Sequence, residues 1–214
     1  AQVENYNDYR SLVIDFNLST KFDLSGDGTL RKLTADVLLY PQEDKNQETV
    51  SIKEFSNPSA QISNGEKLTF IWTEKSSSYE LGYNAKIKTI NSLYKVPEIK
   101  LPYSEIPEEY EIYLKPGEII DINKEIIAKT SEVIGNEDNA YIAVFKIADW
   151  TNNNIEYSLN TLTEKASKPS SWVLQNRQGV CDELTSLFIS MVRSIGIPAR
   201  FVSGMAYTNA GYYF

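Results

Sequence analysis

The sequence predicts an α+β fold in which an N-terminal antiparallel β-sandwich is followed by a mainly helical segment. Three observations support this prediction: apolar and polar residues alternate through the first 95 residues, prolines cluster in residues 96–117, and apolar residues then recur every three or four positions. A period of two is typical of half-buried strands, and a period of 3.6 is typical of helices. The two halves of the chain are therefore expected to differ in secondary structure.

The sandwich is predicted from four stretches with apolar residues at every second position. They are Leu12, Ile14, Phe16 and Leu18; Leu33, Ala35, Val37 and Leu39; Leu68, Phe70 and Trp72; and Tyr79, Leu81, Tyr83, Ala85 and Ile87. Turn residues separate them at Gly26-Asp27-Gly28, Asn57-Pro58 and Asn64-Gly65. Repeated half-buried strands without intervening helices indicate an antiparallel sandwich over residues 1–95.

Residues 96–117 are predicted to be a linker. They hold four of the eight prolines, namely Pro97, Pro102, Pro107 and Pro116. Proline fixes its own φ angle and restricts the preceding residue, so the linker should be extended and fairly stiff. Residues 118–214 then form the second domain.

Three helices are predicted at the start of this second domain. The first places apolar residues on one face and ends at Gly135; these residues are Ile119, Ile122, Ile126, Ile127, Val133 and Ile134. The second is capped by Asn139, ends at Asn152-Asn153-Asn154 and takes its apolar face from Tyr141, Ile142, Phe145 and Trp150. A shorter third helix is expected over residues 172–176.

A fourth predicted helix begins near Cys181, the sole cysteine of the chain. Its apolar residues recur at spacings of three and four: Leu184, Leu187, Phe188, Met191 and Ile195. Gly196 and Pro198 should end it, and residues 200–204 are predicted to form a strand.

Cys181 is a candidate nucleophile because it falls in the first turn of this helix. Free N–H groups and the positive end of the helix dipole favour thiolate over thiol there, and the same N–H groups can hold an oxyanion. Acyl transfer to a thiol needs both a thiolate and donors that stabilise the oxyanion. The charges of Asp182 and Glu183 would oppose thiolate formation if they lie close. Spacing alone leaves open that Cys181 is a small buried core residue.

Two tryptophans are candidate substrate-binding residues. Trp150 and Trp172 could line an acyl-donor cleft, since large indoles exclude water and the ring N–H can meet an oxyanion. Core packing is the alternative role for each of them. The sequence shows no cluster with metal-ligand spacing and no Gly-rich phosphate loop, so no metal or organic cofactor is expected.

Taken together, Gly179-Val180-Cys181-Asp182-Glu183, the apolar helix and residues 193–204 (RSIGIPARFVSG) resemble the nucleophile region of the transglutaminase-like superfamily in its prokaryotic form. Looser similarity extends through residues 147–150, 155–157 and 172–177, so the resemblance covers roughly residues 118–208. It implies that residues 118–214 are the mainly helical front part of a papain-like/transglutaminase-like core. In this family the position of Cys181 is the nucleophile, and a His and an Asp on later strands complete a triad. The N-terminal part resembles, more weakly, the β-domain that precedes such cores.

The sequence contains no His. We therefore expect it to end before the family's His and Asp, and the chain as given to be inactive. The resemblance implies that the parent protein is a cysteine-dependent peptide or amide hydrolase, or an acyltransferase, acting through a thioester on Cys181. The alternative is a non-catalytic surface protein that binds a partner through its β-domain and uses the core as a scaffold.

Composition and charge limit the classes of partner that the sequence predicts. The net charge is −8 and no basic stripe is present, so nucleic acid is not an expected partner. No apolar run reaches the length that spans a bilayer. We expect a protein or peptide substrate, an extracellular or cell-surface location with the cytoplasm as alternative, and self-association through the C-terminal part.

Overall fold

The protein was analysed as a computed structural model, which describes residues 10–92, 95–160, 167–208 and 211–213, without the side chains of residues 206–208 and 211–213. Two compact units divide the chain: one comprises Ala1–Tyr94 with Ser203–Phe214, and the other is Lys95–Val202. No helix among the described residues is long and apolar enough to span a membrane.

Six strands form two antiparallel sheets in the first unit. Their bounds are β1 Ser11–Asp23, β2 Leu33–Val37, β3 Gln47–Asn57, β4 Gln61–Asn64, β5 Leu68–Trp72 and β6 Ser78–Ile90. One sheet has the order β1-β6-β3 and the other β2-β5-β4. All four alternating stretches fall in strands, although β2 ends before Leu39. Strands β3 and β4 were not predicted, because neither shows the apolar alternation of a buried strand; the predicted turn residues Asn57 and Asn64 are the last residues of these strands.

The two sheets share one core, which makes this unit the predicted antiparallel sandwich. Phe70 and Trp72 of β5 and Tyr79 and Tyr83 of β6 are all buried. The ring centroids of Trp72 and Tyr79, which lie on different sheets, are 5.2 Å apart in an edge-on arrangement. Such aromatic pairs stabilise a core beyond the area that they bury.

The described residues of the second unit form five α-helices and two short strands. The helices are α1 Glu108–Glu111, α2 Lys124–Ile134, α3 Ala140–Asn154, α4 Ser170–Asn176 and α5 Cys181–Ser194, with a 3-10 helix at Ile112–Leu114. Strands β7 Glu156–Tyr157 and β8 Gln178–Gly179 pair in parallel. A further antiparallel pair, β9 Ala206–Thr208 and β10 Gly211–Tyr213, comes after Lys95–Val202 in the chain.

Side-chain caps set where α2 and α3 begin. The Asn123 side chain accepts a hydrogen bond from the amide of Ile126 at 2.9 Å, so α2 starts at Lys124. The predicted helical positions of Ile119 and Ile122 were therefore wrong, since both precede this cap. Asn139 caps α3 as predicted, accepting from the amide of Ile142 at 3.2 Å.

The predicted apolar face of α3 was wrong for three of its four residues. Tyr141, Ile142 and Phe145 are exposed, whereas Trp150 is partly buried against the core. The buried stripe consists of Ala140, Ala143, Ile147 and Thr151. Small residues allow a neighbouring helix to approach closely, and the Thr151 hydroxyl is satisfied by donating to the Ile147 carbonyl at 2.9 Å.

Helix α5 lies at the centre of the helical unit and contacts α2, α3 and α4. Leu187 and Met191, both predicted core residues, are fully buried. Ile189 and Val192 are also buried, so α5 is covered on more than the predicted stripe.

The predicted strand over residues 200–204 does not form. The Ala199 amide donates to the Tyr113 carbonyl at 3.1 Å, and the Arg193 Nε donates to the Ala199 carbonyl at 2.9 Å. The chain leaving α5 is therefore held by the 3-10 helix rather than by a sheet. Phe201 and Val202, the next apolar residues, are exposed.

Residues 95–117, which include the predicted linker, hydrogen-bond within the helical unit. The Leu101 amide donates to the Asp138 carbonyl at 2.7 Å, and the Ala140 amide donates to the Ile99 carbonyl at 2.8 Å. The boundaries 1–95, 96–117 and 118–214 stay predictions.

Candidate active site

Cys181 is the first residue of α5, and it is exposed. The N-cap residue, Val180, has no polar side-chain atom and makes no side-chain hydrogen bond to the helix. The N–H groups of the first turn therefore lack the acceptor that a Ser, Thr, Asp or Asn would supply at this position. An exposed thiol and these N–H groups lie together at the N-terminus of a helix that buries Leu187, Met191 and Val192 farther along.

Glu183 is the most deeply buried carboxylate near this site, with 1% of its surface exposed. Its Oε2 accepts from the amide of Val180 at 3.0 Å, and its Oε1 accepts from the amide of Lys168 at 2.9 Å. Hydrogen bonds to a charged acceptor are stronger than neutral ones. The Glu183 carboxylate thus joins the start of α5 to the residues that precede α4.

Asp182 makes a second connection to the same segment. Its carboxylate accepts a hydrogen bond from the Ser167 hydroxyl. Both acidic residues that come after Cys181 therefore have hydrogen-bond donors. Residues 167–168 and the first turn of α5 are held together by two carboxylates.

Gly179 allows this packing because a Cβ atom there would be in tighter than ordinary contact with Glu183. A Cβ atom on Gly179 would lie 3.0 Å from the Cβ of Glu183 and 3.1 Å from the Cδ1 of Leu184. The Gly179 carbonyl also accepts from the amide of Ser158 at 3.0 Å, which continues the pairing of β7 with β8. Gly179, two residues before Cys181, is therefore held on two sides, by its packing against Glu183 and by the hydrogen bond from Ser158.

We expect Gly179→Ala to lower the free energy of unfolding of the helical unit by about 1–3 kcal/mol, because the added methyl group presses on the buried, hydrogen-bonded Glu183, which must shift slightly to make room. Circular dichroism at 222 nm during a urea titration measures this loss. Gly117→Ala is the matched control, since a Cβ at Gly117 meets nothing within 4 Å. Equal urea midpoints for the two variants would contradict the prediction.

Trp172 lies on α4 and connects to the site through Lys168. Its ring is partly buried, and the Lys168 Nζ lies 5.6 Å from the ring centroid. The backbone amide of the same lysine binds Glu183 at 2.9 Å. Trp172 is therefore one residue removed from the hydrogen bonds that support the start of α5.

Trp150, on α3, has other neighbours. The Arg177 Cζ lies 4.8 Å from its ring centroid, and the Lys129 Nζ lies 5.9 Å from it. The indole is also packed against the core of the helical unit. Its described contacts are thus with two cations and the core, and the substrate-binding roles of Trp150 and Trp172 stay predictions.

Sequence reasoning missed the roles of two residues in this region. Glu183 was treated as a favourable first-turn residue and as a charge near the thiol, but its hydrogen bond to the N-cap amide was not predicted, although a Glu at the third position of a helix is a known capping signal. Arg177 was passed over because nothing in the sequence marks a non-glycine residue that adopts a positive φ angle. Among the described residues, no group of three His, Cys, Asp or Glu side chains is arranged to hold a metal ion.

Fold and site together define a papain-like α+β core, in which a cysteine begins a buried helix beside short strands. Residues 127–212 match the model of the transglutaminase-like superfamily. The resemblance drawn from the sequence is therefore confirmed for this part of the chain.

A solved structure has the same fold. It is described as "a Putative Cysteine Protease from Cytophaga hutchinsonii", and it matches with a TM-score of 0.65 and 18% sequence identity. The match covers 87% of this chain and 67% of that chain, so it includes residues of both units. No curated protein matches the sequence significantly.

Proposed function

We propose that this chain carries the nucleophile of a cysteine-dependent peptide or amide hydrolase, which acts through a thioester on Cys181. The observation that carries the proposal is the exposed thiol at the first position of α5, a helix whose N-cap side chain leaves the first-turn N–H groups unbound. The transglutaminase-like match over residues 127–212 supports it.

The proposed chemistry builds on this geometry. The Cys181 thiolate attacks the carbonyl carbon of an amide, and the oxyanion that forms is held by N–H groups at the start of α5. The C–N bond then breaks, the amine leaves with a proton, and the acyl group remains on sulfur as a thioester. Water attacks the thioester, releasing a carboxylic acid and restoring the thiol.

Proton transfer requires a group that this sequence lacks. A general base must take the thiol proton and a general acid must protonate the leaving amine, and His most often performs both tasks. The 214 residues contain no His. We therefore propose that an imidazole comes from sequence outside this chain and that the chain alone is inactive.

Hydrolysis is favoured over transfer to an amine. The sequence around Cys181 is similar to prokaryotic members of the superfamily, and the structural neighbour is described as a cysteine protease. We propose a protein or peptide substrate on this basis. Trp172 is the better candidate for a wall of the substrate cleft, because Lys168 links it to the start of α5.

The test compares peptide hydrolysis by the full natural protein and its Cys181→Ser variant. We expect the variant to lose activity by about 10⁴-fold or more, as for other enzymes that lose their nucleophile. Mass spectrometry should detect a covalent acyl adduct on Cys181 with a slow substrate. Ser131→Ala, an exposed change on α2, is the control. Hydrolysis that survives in Cys181→Ser would refute the proposal.

The second candidate function is a non-catalytic surface module that binds a partner through its β-sandwich. The absence of His from the 214 residues favours it. The two candidates place different demands on the sequence beyond Phe214: an enzyme needs a His on a strand and an Asp farther along, whereas a binding module needs neither. In the hydrolysis assay described above, activity that depends on Cys181 supports the enzyme, and a full natural protein without activity supports the binding module.

An extracellular or cell-surface location and self-association through the C-terminal part stay predictions. Exposed Phe201 and Val202 favour self-association, because apolar surface drives association between copies. The side chains of Tyr207, Tyr212, Tyr213 and Phe214, on which the expectation also rested, lie outside the described residues.

A further inference from the structure

Arg177, four residues before Cys181 in the chain, has an unusual backbone conformation. Its φ is 57° and its ψ is 28°, and among the described residues it is the only non-glycine residue with a positive φ. Left-handed geometry is disfavoured for residues with a Cβ atom. Such a conformation persists only where the surrounding structure holds it, and it is enriched at functional sites.

Hydrogen bonds hold the Arg177 backbone on both sides. Its amide donates to the Val173 carbonyl at 2.9 Å, which ends α4. Its carbonyl accepts from the Glu156 amide at 2.8 Å, which begins the pairing of β7 with β8. The chain therefore reverses at Arg177 from α4 into β8, four residues before Cys181.

The Arg177 side chain adds a third attachment. Its Cζ lies 4.8 Å from the centroid of the Trp150 ring, within the range of a cation–π interaction. Trp150 is itself held by α3 and by the core of the helical unit. A planar guanidinium stacks on an indole in a way that a lysine ammonium does not. The turn before Cys181 is thus attached through a side chain to a helix that is distant in sequence.

We propose that Arg177 is a positioning residue for Cys181 and that Trp150 is the platform on which its guanidinium rests. The proposal rests on the proposed function, because it assigns Arg177 the task of holding the sulfur at the start of α5 in line for attack. Trp150 then serves the reaction through Arg177 and not by touching substrate. Reacting atoms need close alignment, and a displacement of about 1 Å can cost roughly 100-fold in rate.

The test separates the side chain of Arg177 from its backbone. Arg177→Asn and Arg177→Gly both tolerate left-handed geometry, so they keep the turn and remove the stacked guanidinium. Arg177→Lys keeps the charge and loses the planar fork. Trp150→Leu removes the indole that the guanidinium contacts. If this variant fails to fold, the Arg177 variants still test the proposal, because Arg177 is exposed. Lys129→Met, which removes the other cation near the ring, is the matched control.

The first measurement is amide hydrogen exchange of the peptide that contains residues 177–181. We expect exchange to rise by about 2- to 5-fold in Arg177→Asn and Arg177→Gly, as the loss of a cation–π contact at an exposed site predicts, and by at least as much in Trp150→Leu. Arg177→Lys should lie between these variants and the wild type, and Lys129→Met should match the wild type. The double variant of Arg177→Asn with Trp150→Leu should exchange no faster than either single variant.

The second measurement is the kinetics of the full natural protein with a peptide substrate. We expect kcat to fall by about 10- to 100-fold in Arg177→Asn and Arg177→Gly with little change in KM, and Arg177→Lys to recover part of the loss. A residue that only stabilised the fold would leave kcat of the folded fraction unchanged.

Three results would each overturn the proposal: wild-type exchange in both Arg177→Asn and Arg177→Gly, wild-type kcat in both variants, or additive effects of the Arg177 and Trp150 changes. A wild-type protein without hydrolysis would instead refute the proposed function. The exchange data would still decide whether Arg177 and Trp150 hold the turn.

Discussion

Leu187→Ala should lower the free energy of unfolding of the helical unit by about 2–5 kcal/mol. Leu187 is fully buried in the middle of α5, where it belongs to the core that α2, α3 and α4 share. The substitution removes buried methyl groups and leaves a cavity that the surrounding helices fill only partly. A urea titration followed by circular dichroism at 222 nm measures the loss.

Cys181→Ser is the matched control for Leu187→Ala, because both residues belong to the same helix and only Leu187 is buried. We expect this control to cost about 1 kcal/mol or less, as for other exposed positions. Equal losses in the two variants would place Cys181 in the core and restore the interpretation of a structural cysteine.

Glu183→Ala should cost about 3–5 kcal/mol in the same titration. The change removes the acceptor of the buried Val180 amide and a hydrogen bond from the part-buried Lys168 amide, and an unsatisfied buried donor costs about 1–3 kcal/mol. Removal of the buried side-chain methylenes adds a cavity. Glu183 is thus expected to be as important for stability as an apolar core residue.

Two further variants make this prediction specific. Glu183→Gln keeps the shape but offers one carbonyl oxygen, so its NH₂ group would face a backbone N–H, and we expect an intermediate loss of about 1–3 kcal/mol. Glu125→Ala removes an exposed carboxylate from the first turn of α2 and should cost about 0.5 kcal/mol or less. A Glu183→Ala variant as stable as Glu125→Ala would show that the two amides find other acceptors.

Part of the order of the elements was predictable, because strands β1, β2, β5 and β6 and helices α2, α3 and α5 each carry a local signal. Alternating residues such as Leu68, Phe70 and Trp72 have the period of a strand, and Asn123 and Asn139 are side chains that cap helices. These signals depend only on neighbours in the chain. The start of α5 at Cys181 was predictable for the same reason.

Which face of a helix is buried depends on the elements that pack against it, and the sequence of α3 was misleading on this point. Tyr141, Ile142 and Phe145 are exposed, whereas the smaller Ala140 and Ala143 lie in the core. The hydrogen bonds of the candidate site were unpredictable for the same reason, because they too depend on residues that are distant in the chain. Ser167 donates to Asp182, and Lys168 donates to Glu183. Each bond joins residues 15 positions apart, and no local sequence pattern predicts it.

The hydrophobic N-cap of α5 suggests a trade-off between stability and activity. A polar residue in place of Val180 would bind a first-turn amide and stabilise the helix by about 1 kcal/mol. The same hydrogen bond would occupy a donor that the proposed oxyanion requires. Selection for catalysis would then keep the helix less stable than its sequence allows, and substitutions at position 180 that raise the melting temperature should be those that slow the reaction.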